Sequence, residues 1–490
     1  MPRRFACLFV ICLGMALNCH ASAAQAVSTP VEVEGPRGTV DFSYLQALNP
    51  ECVGWLYQEG TSYSHPVLQS TDNDKYERRS FDGSALKGGS LCLDAAASPA
   101  LEDAFTLLYG DTRDDGPFAL LKEYMEQETY DAQAPLRFLT PAGDWQVEVF
   151  ACVDSSTGAS DSWRPPEEIS GAALKQWYRA LRSQSQVQTS ASALPSEDER
   201  VLAMVGKRNN NKCTLIYGTL RPIRYTGSQS FDLVKRELDS RETTSGLKDV
   251  GSLGQMMVYA QDDPIWDRMR YESGSSQYFR RFGGGGCGPT AVAMALANLV
   301  PAEELPKLGL ATESELGVLF CTCSVNRNFC NRQHVPYRLS TPQEYLRYLP
   351  VAVANFAAGN NRWGVVARRG NAYGTSMRFL EPLCSVFDIE VTPTRSIDEA
   401  LEAVSRAPGR CMVIASATRG SAFTKTSHFL LIAGADEEYF YVLDPLPRDS
   451  YESMDRYNIV EVLSPGVARI RLENASLSLL FPSSILSVSE

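Results

Sequence analysis

Four consecutive glycines, Gly283 to Gly286, run into Cys287-Gly288-Pro289-Thr290 and then into the alanine-rich apolar stretch Ala291 to Val300. The glycines are expected to form a flexible loop. Pro289 suits the first turn of a helix, where its missing N–H would have had no partner. This word therefore predicts a loop, a cysteine at a helix N-terminus and a helix behind it. A thiol so placed feels the positive end of the helix dipole and the free N–H groups, which lower its pKa. The same N–H groups can hold an oxyanion. Cys287 is the candidate nucleophile, with a buried structural cysteine as the alternative.

A thiol nucleophile needs a base, and the chain has only four histidines, His20, His65, His334 and His428. His334 falls in "CNRQHVPY", beside a cysteine cluster. His428 opens "SHFLLIAGADEEYFYVLDP", which reads as a strand, a turn and a second strand that Asp444 ends and Pro445 stops. Adjacent antiparallel strands can set His428 and Asp444 side by side, so that the carboxylate holds the imidazole while the imidazole exchanges a proton with the thiol.

The 490 residues carry a net charge of -12. An acidic chain without a basic patch repels phosphate backbones, so no nucleic-acid partner is expected. Residues 1–26 read as a secretory signal: Arg3 and Arg4, a short apolar core, then small residues at an A-x-A site. No later apolar run is long enough to span a bilayer, so the mature chain is expected outside the membrane, secreted or associated with the cell envelope. Ten of the 13 cysteines remain after that signal, an even set that invites disulfides in an oxidising compartment. "CTCSVNRNFC" (Cys321, Cys323, Cys330) reads as a looped staple, with zinc the rival reading.

Residues 27–40 read as a mature N-terminal tail. From 41 to 225, strand-like runs such as "VGWLYQEG", "FTLLYG", "WQVEVFACV" and "CTLIYGTL" alternate with turns, and one helical stretch, "GPFALLKEYMEQETY", intervenes. Many short strands with few helices predict a β-barrel. Residues 226–250 are polar and read as a linker. From 251 to 490 helices come first and strands later, an α+β layout.

The words "VDFSYLQALNPECVGWLYQEGTSYSHPVLQSTDNDKYERRSFDG", "KGGSLCLD" and "TLLYGDTRDDGPFALLKEY" make residues 41–225 resemble a class B sortase. The resemblance implies a closed eight-stranded barrel and, in active members, transpeptidation by Cys, His and Arg. All three slots are substituted. Asp111 follows Tyr109-Gly110 where the family has His, Lys207 ends "LAMVGK" in the Cys slot, and Lys212 or Cys213 falls in the Arg slot. A carboxylate cannot shuttle protons like imidazole at neutral pH, and an ammonium has no thiolate nucleophilicity. The barrel is expected to be catalytically inactive and to bind a wall fragment or sorting-type peptide, with an Asp111–Lys207 ion pair in the vacated cleft.

The words "QDDPIW", "GCGPTAVAMAL", "YGTSMRFLEPLCSVFDIEV" and "SHFLLIAGADEEYFYVLDP" make the second half resemble papain-like cysteine peptidases of the bacteriocin-leader-processing type. That resemblance implies Cys287 as nucleophile, His428 as base and acid, Asp444 as orienter and Gln261 as side-chain oxyanion donor. The expected whole is a multidomain secreted peptidase, a sortase-like barrel followed by an α+β papain-like domain. It would act on a peptide or protein substrate and need no metal or organic cofactor. Two rivals are a non-catalytic surface-binding module and an envelope transpeptidase.

Overall fold

The computed structural model describes residues 29–489 except 62, 84, 114–115, 156–162, 167–169, 197, 208–212, 236–241, 268–280, 311–338 and 360–374. The leader, the Cys321–Cys323–Cys330 cluster, His334 and Lys212 fall outside the described residues. So does the side chain of Lys207.

Eight strands close the expected barrel. They are β1 (Cys52–Gln58), β2 (Ser64–Gln69), β3 (Leu91–Leu93), β4 (Phe105–Asp111), β5 (Leu136–Thr140), β6 (Gly143–Ser155), β7 (Arg200–Lys207) and β8 (Cys213–Tyr225). Their order is β8-β6-β5-β1-β2-β3-β4-β7, and β7 pairs back to β8. The β2–β3 and β4–β7 pairs are parallel. Strand periodicity sorts the side chains. Leu202 and Met204 of β7 and Ile216 and Leu220 of β8 join the interior cluster, while Val201, Ala203 and Val205 join a second cluster outside the barrel. Helix α1 (Gly171–Ser183) covers that outer face with Leu174, Trp177, Tyr178 and Leu181, the spacing of one helical stripe.

Parts of the segment expected as an N-terminal tail pair with later strands. Val31–Val33 pairs in parallel with the end of β8, and Arg37–Thr39 pairs with Ser230–Asp232. In the polar segment 226–250, Gly246–Asp249 forms a hairpin with Gln255–Val258. Just after Ser230–Asp232, Lys235 is buried and its ammonium pairs with Glu344.

Beyond residue 280, seven strands form one antiparallel sheet. These are β9 (Ile389–Pro393), β10 (Cys411–Ala417), β11 (His428–Ala435), β12 (Tyr439–Leu443), β13 (Glu461–Ser464), β14 (Val467–Arg471) and β15 (Leu480–Val488). Their order is β9-β15-β10-β11-β12-β14-β13. Helices α2 (Cys287–Leu299) and α3 (Leu349–Gly359) pack with Leu431, Ala433, Met412 and Ile414 on one face. Helix α4 (Ile397–Arg406) packs with Leu430, Ile432 and Val413 on the other. α2 is apolar on all sides and almost wholly buried, so it lies between the sheet and α3 rather than on the surface.

The expected disulfides are not found among the described residues. Cys52, Cys152, Cys384 and Cys411 are buried free thiols. These four sit in four different apolar clusters, so they do not pair with one another.

Candidate active site

The glycine run is not a flexible loop. Phe282–Gly285 is a buried helical turn that leads directly into α2. A Cβ at Gly283 would lie 1.9 Å from Asp267 Oδ1, so the turn is closely packed and any larger residue would have to displace that carboxylate. Gly286 is the N-cap of α2, and the Thr290 hydroxyl donates back to the Gly286 carbonyl at 2.8 Å. Cys287 is therefore the first residue of the helix, half-buried, with the backbone of Gly288 and Phe429 bonded to its sulfur.

His428 opens β11 and Asp444 follows the last residue of β12. The two strands are paired, with Leu431 opposite Leu443. His428 Nε2 lies 2.6 Å from Asp444 Oδ1, both side chains being buried. With Nε2 turned to the carboxylate, Nδ1 is the ring nitrogen left for the thiol. Burial pushes the Cys287 thiol up, but the His428 ring and the backbone of Phe429 and Gly288 outweigh it and hold the thiol below its ordinary value. Burial pulls His428 down, but Asp444 and the Cys287 thiol outweigh that and hold the ring above its ordinary value. The two shifts run towards each other, which favours a thiolate–imidazolium pair at neutral pH.

Gln261 links both ends of this group. Its backbone N–H donates to the Pro445 carbonyl at 2.7 Å, and its side-chain Nε2 donates to the Gly283 carbonyl at 2.7 Å. Its Oε1 is buried with no donor among the described residues. Sequence reading missed the shell around Asp444. The Tyr451 hydroxyl donates to Asp444 Oδ2 at 2.6 Å, the Leu446 N–H donates to Oδ1 at 2.8 Å, and Arg448 Nε lies 3.9 Å from Oδ2. Nothing in the spacing from Asp444 to Tyr451 signals that contact, which a turn after Pro445 creates.

The barrel's vacated cleft is different. Asp111 and Lys207 are register partners on the parallel strands β4 and β7. The Asp111 carboxylate is engaged by Arg113, whose backbone N–H and Nε each donate at 2.7 Å. The Lys207 side chain, expected as the partner of Asp111, lies outside the described residues. Cys213 is buried at the start of β8, opposite Lys207 in register, and joins the outer cluster rather than the barrel interior. His65 lies on β2, paired with Leu56, away from β4 and β7; burial lowers its pKa to about 4.

Thiol titration separates Cys287 from other cysteines. Burial pushes Cys52, Cys152 and Cys384 up to about 12 and Cys411 up to about 11. Among these five, only Cys287 is held down.

Comparison with known proteins bears on the first half. That region resembles the class B sortases. Sortase B of Listeria monocytogenes is 32% identical over 114 residues, 23% of this chain and 46% of that protein. Sortase B of Staphylococcus aureus is 30% identical over 117 residues, 24% of this chain and 48% of that protein. The chain thus spans about half the length of the curated relatives it matches. Among solved structures, a substrate complex of S. aureus sortase B is 22% identical, covering 37% of this chain and 85% of that one, with a TM-score of 0.35. Sortase B of B. anthracis is 20% identical, covering 39% and 89%, with a TM-score of 0.33. No protein-family model matches the chain. Among the described residues, no helix is long and apolar enough to cross a membrane.

Proposed function

We propose that this chain is a secreted or envelope-associated cysteine peptidase of papain-like type, which hydrolyses peptide amide bonds through an acyl-thioester on Cys287. The observation that carries the reading is the run Cys287, His428, Asp444, in which the thiol is drawn down and the imidazole is held up and anchored through Nε2. The Cys287 thiolate attacks the carbonyl carbon. The oxyanion is received at the N-terminus of α2, by backbone N–H groups and the Gln261 amide. Imidazolium Nδ1 then protonates the leaving amine, and the neutral ring takes a proton from water in deacylation. Asp444 keeps the ring in the tautomer and orientation both steps need.

The barrel holds or positions a peptide, wall fragment or sorting-type sequence and performs no chemistry. The arginine-bound Asp111 supports this role, as do the sortase B relatives, one of which was solved with substrate bound. The test is labelling of the full mature chain with a thiol-directed electrophile, followed by peptide mapping. Rapid modification confined to Cys287 is expected. Labelling no faster at Cys287 than at a denatured thiol would favour the non-catalytic binding module. Product carrying an added amine in place of water would favour the transpeptidase.

A further inference from the structure

We propose that Tyr451 is a positioning residue of this site, whose hydroxyl fixes the Asp444 carboxylate so that Oδ1 stays on His428. The proposal rests on the thiol-hydrolase reading above and deepens it. Asp444 is fully buried, and a buried carboxylate oxygen without a donor is costly. Oδ1 is occupied by the His428 ring and the Leu446 N–H. For Oδ2, the Tyr451 hydroxyl supplies a donor at 2.6 Å. The phenol is itself buried, its ring set edge-on against Phe423 with centroids 5.0 Å apart. Burial and the neighbouring carboxylate push its titration above the ordinary tyrosine range, so it is a donor at neutral pH.

A competitor stands close by. Arg448 Nε is buried, has no acceptor among the described residues and lies 3.9 Å from Oδ2. A carboxylate released by Tyr451 turns towards that cation, and the same rotation lifts Oδ1 off His428 Nε2. The imidazolium then loses its counter-charge and the thiolate loses the imidazolium. Removing one phenolic oxygen, at a distance from the sulfur, therefore raises the titration of Cys287.

The experiment reads the rate of Cys287 alkylation by iodoacetamide, mapped by peptide mass spectrometry over a pH series, so it needs no peptide substrate. Tyr451→Phe keeps the ring and its contact with Phe423. Its midpoint is expected to rise by about one unit, with ~10-fold slower alkylation on the acid limb. Tyr451→Phe/Arg448→Met, which removes the competing cation, is expected to recover most of that shift, which a purely packing role would not produce. An unmoved or lowered midpoint in Tyr451→Phe overturns the proposal. Arg448→Met alone gives a reading even if the phenylalanine variant does not fold. It should leave the midpoint in place or lower it, and a raised midpoint makes Arg448 the holder of the carboxylate and overturns the proposal. If wild-type Cys287 alkylates like an ordinary thiol, the hydrolase reading fails and this proposal falls with it. A fast wild type matched by Tyr451→Phe sinks this proposal alone.

Discussion

The two halves of this chain have opposite fates at their cleft ends. The barrel keeps a closed eight-stranded frame and packed interior, but its Asp111 is spoken for by Arg113 and its Cys213 is buried in the outer cluster. The second half sets a half-buried cysteine on a helix N-terminus and backs it with a buried imidazole and carboxylate. Frame and site are thus separable: apolar alternation along strands maintains a barrel whatever stands at its rim. A thiol–imidazole site needs several buried polar groups to be satisfied together.

The sharpest way to break this contrast is to remove one sulfur from each half. Cys287→Ala is expected to abolish electrophile labelling and lower peptide hydrolysis by ~1000-fold or more, whereas Cys213→Ala leaves both unchanged. Mass mapping across pH should also show Cys287 reacting well below the pH at which an ordinary thiol does. Cys52, Cys152 and Cys384, pushed to about 12, stay unmodified in the folded chain. Gln261→Ala tests the oxyanion side of the same site. A ~100-fold fall in kcat with KM nearly unchanged is expected, as for loss of one oxyanion donor. An unaltered kcat would leave Gln261 as the tether between Pro445 and Gly283 and nothing more.

What could be read beforehand divides along the same line. The Gly-Cys-Gly-Pro-Thr word is local, because a helix start depends on a few neighbouring residues, and Cys287 could be placed from it. His428 and Asp444 could be placed because one hairpin brings them together, a short-range event in sequence. Tyr451 could not, since its contact with Asp444 depends on the path of a turn that no periodicity describes. The helix Gly171–Ser183 carries a stripe, Leu174, Trp177, Tyr178 and Leu181, that is short beside the strand signals around it. The glycine run differs from its expected loop because composition alone cannot distinguish freedom from crowding, and Asp267, sixteen positions before Gly283, supplies the crowding. Cysteine number is a related case: an even count says nothing of distance, and among the described residues Cys52, Cys152, Cys384 and Cys411 lie in four separate cores.

The junction between the halves offers a smaller effect. Burial by itself would raise Glu344, but Lys235 and the N–H and hydroxyl of Ser340 outweigh it and hold the carboxyl at about 2, against an ordinary 4.5. A depressed carboxyl contributes stability above its unfolded pKa and loses it as pH falls through the folded value. The pair should therefore stabilise the chain at neutral pH and stop doing so between about pH 4.5 and 2. Glu344→Gln leaves the buried Lys235 ammonium with Asp232, at 3.9 Å, as its carboxylate among the described residues. The expected loss is roughly 2–3 kcal/mol at pH 7, read from urea midpoints, shrinking towards zero in acid. A difference that persists unchanged at the acid end would mean that the pair is not what joins the segment after the barrel to the helix carrying Glu344.

The smallest expected effect is none, and it bears on the barrel itself. In a full-length Cys287→Ala background any remaining cleavage or transfer of a sorting-signal peptide must arise in the first half, so this background isolates the barrel without cutting the chain. Zero turnover is expected. Asp111 cannot act as a proton shuttle at neutral pH, and its carboxylate is already clasped by the Arg113 guanidinium and backbone. Lys207 offers an ammonium where a thiolate is needed. Cys213 would have to leave the outer apolar cluster to meet any substrate. Restoring Asp111→His, Lys207→Cys and Lys212→Arg together should still yield little, because Arg113 was shaped around a carboxylate and would face the new imidazole as a second cation. Binding is a separate matter, and the restored and unrestored barrels should hold the same peptide with similar affinity by calorimetry. Turnover in the Cys287→Ala background that vanishes on adding Cys213→Ala would reverse the contrast between the halves and make the barrel a living enzyme.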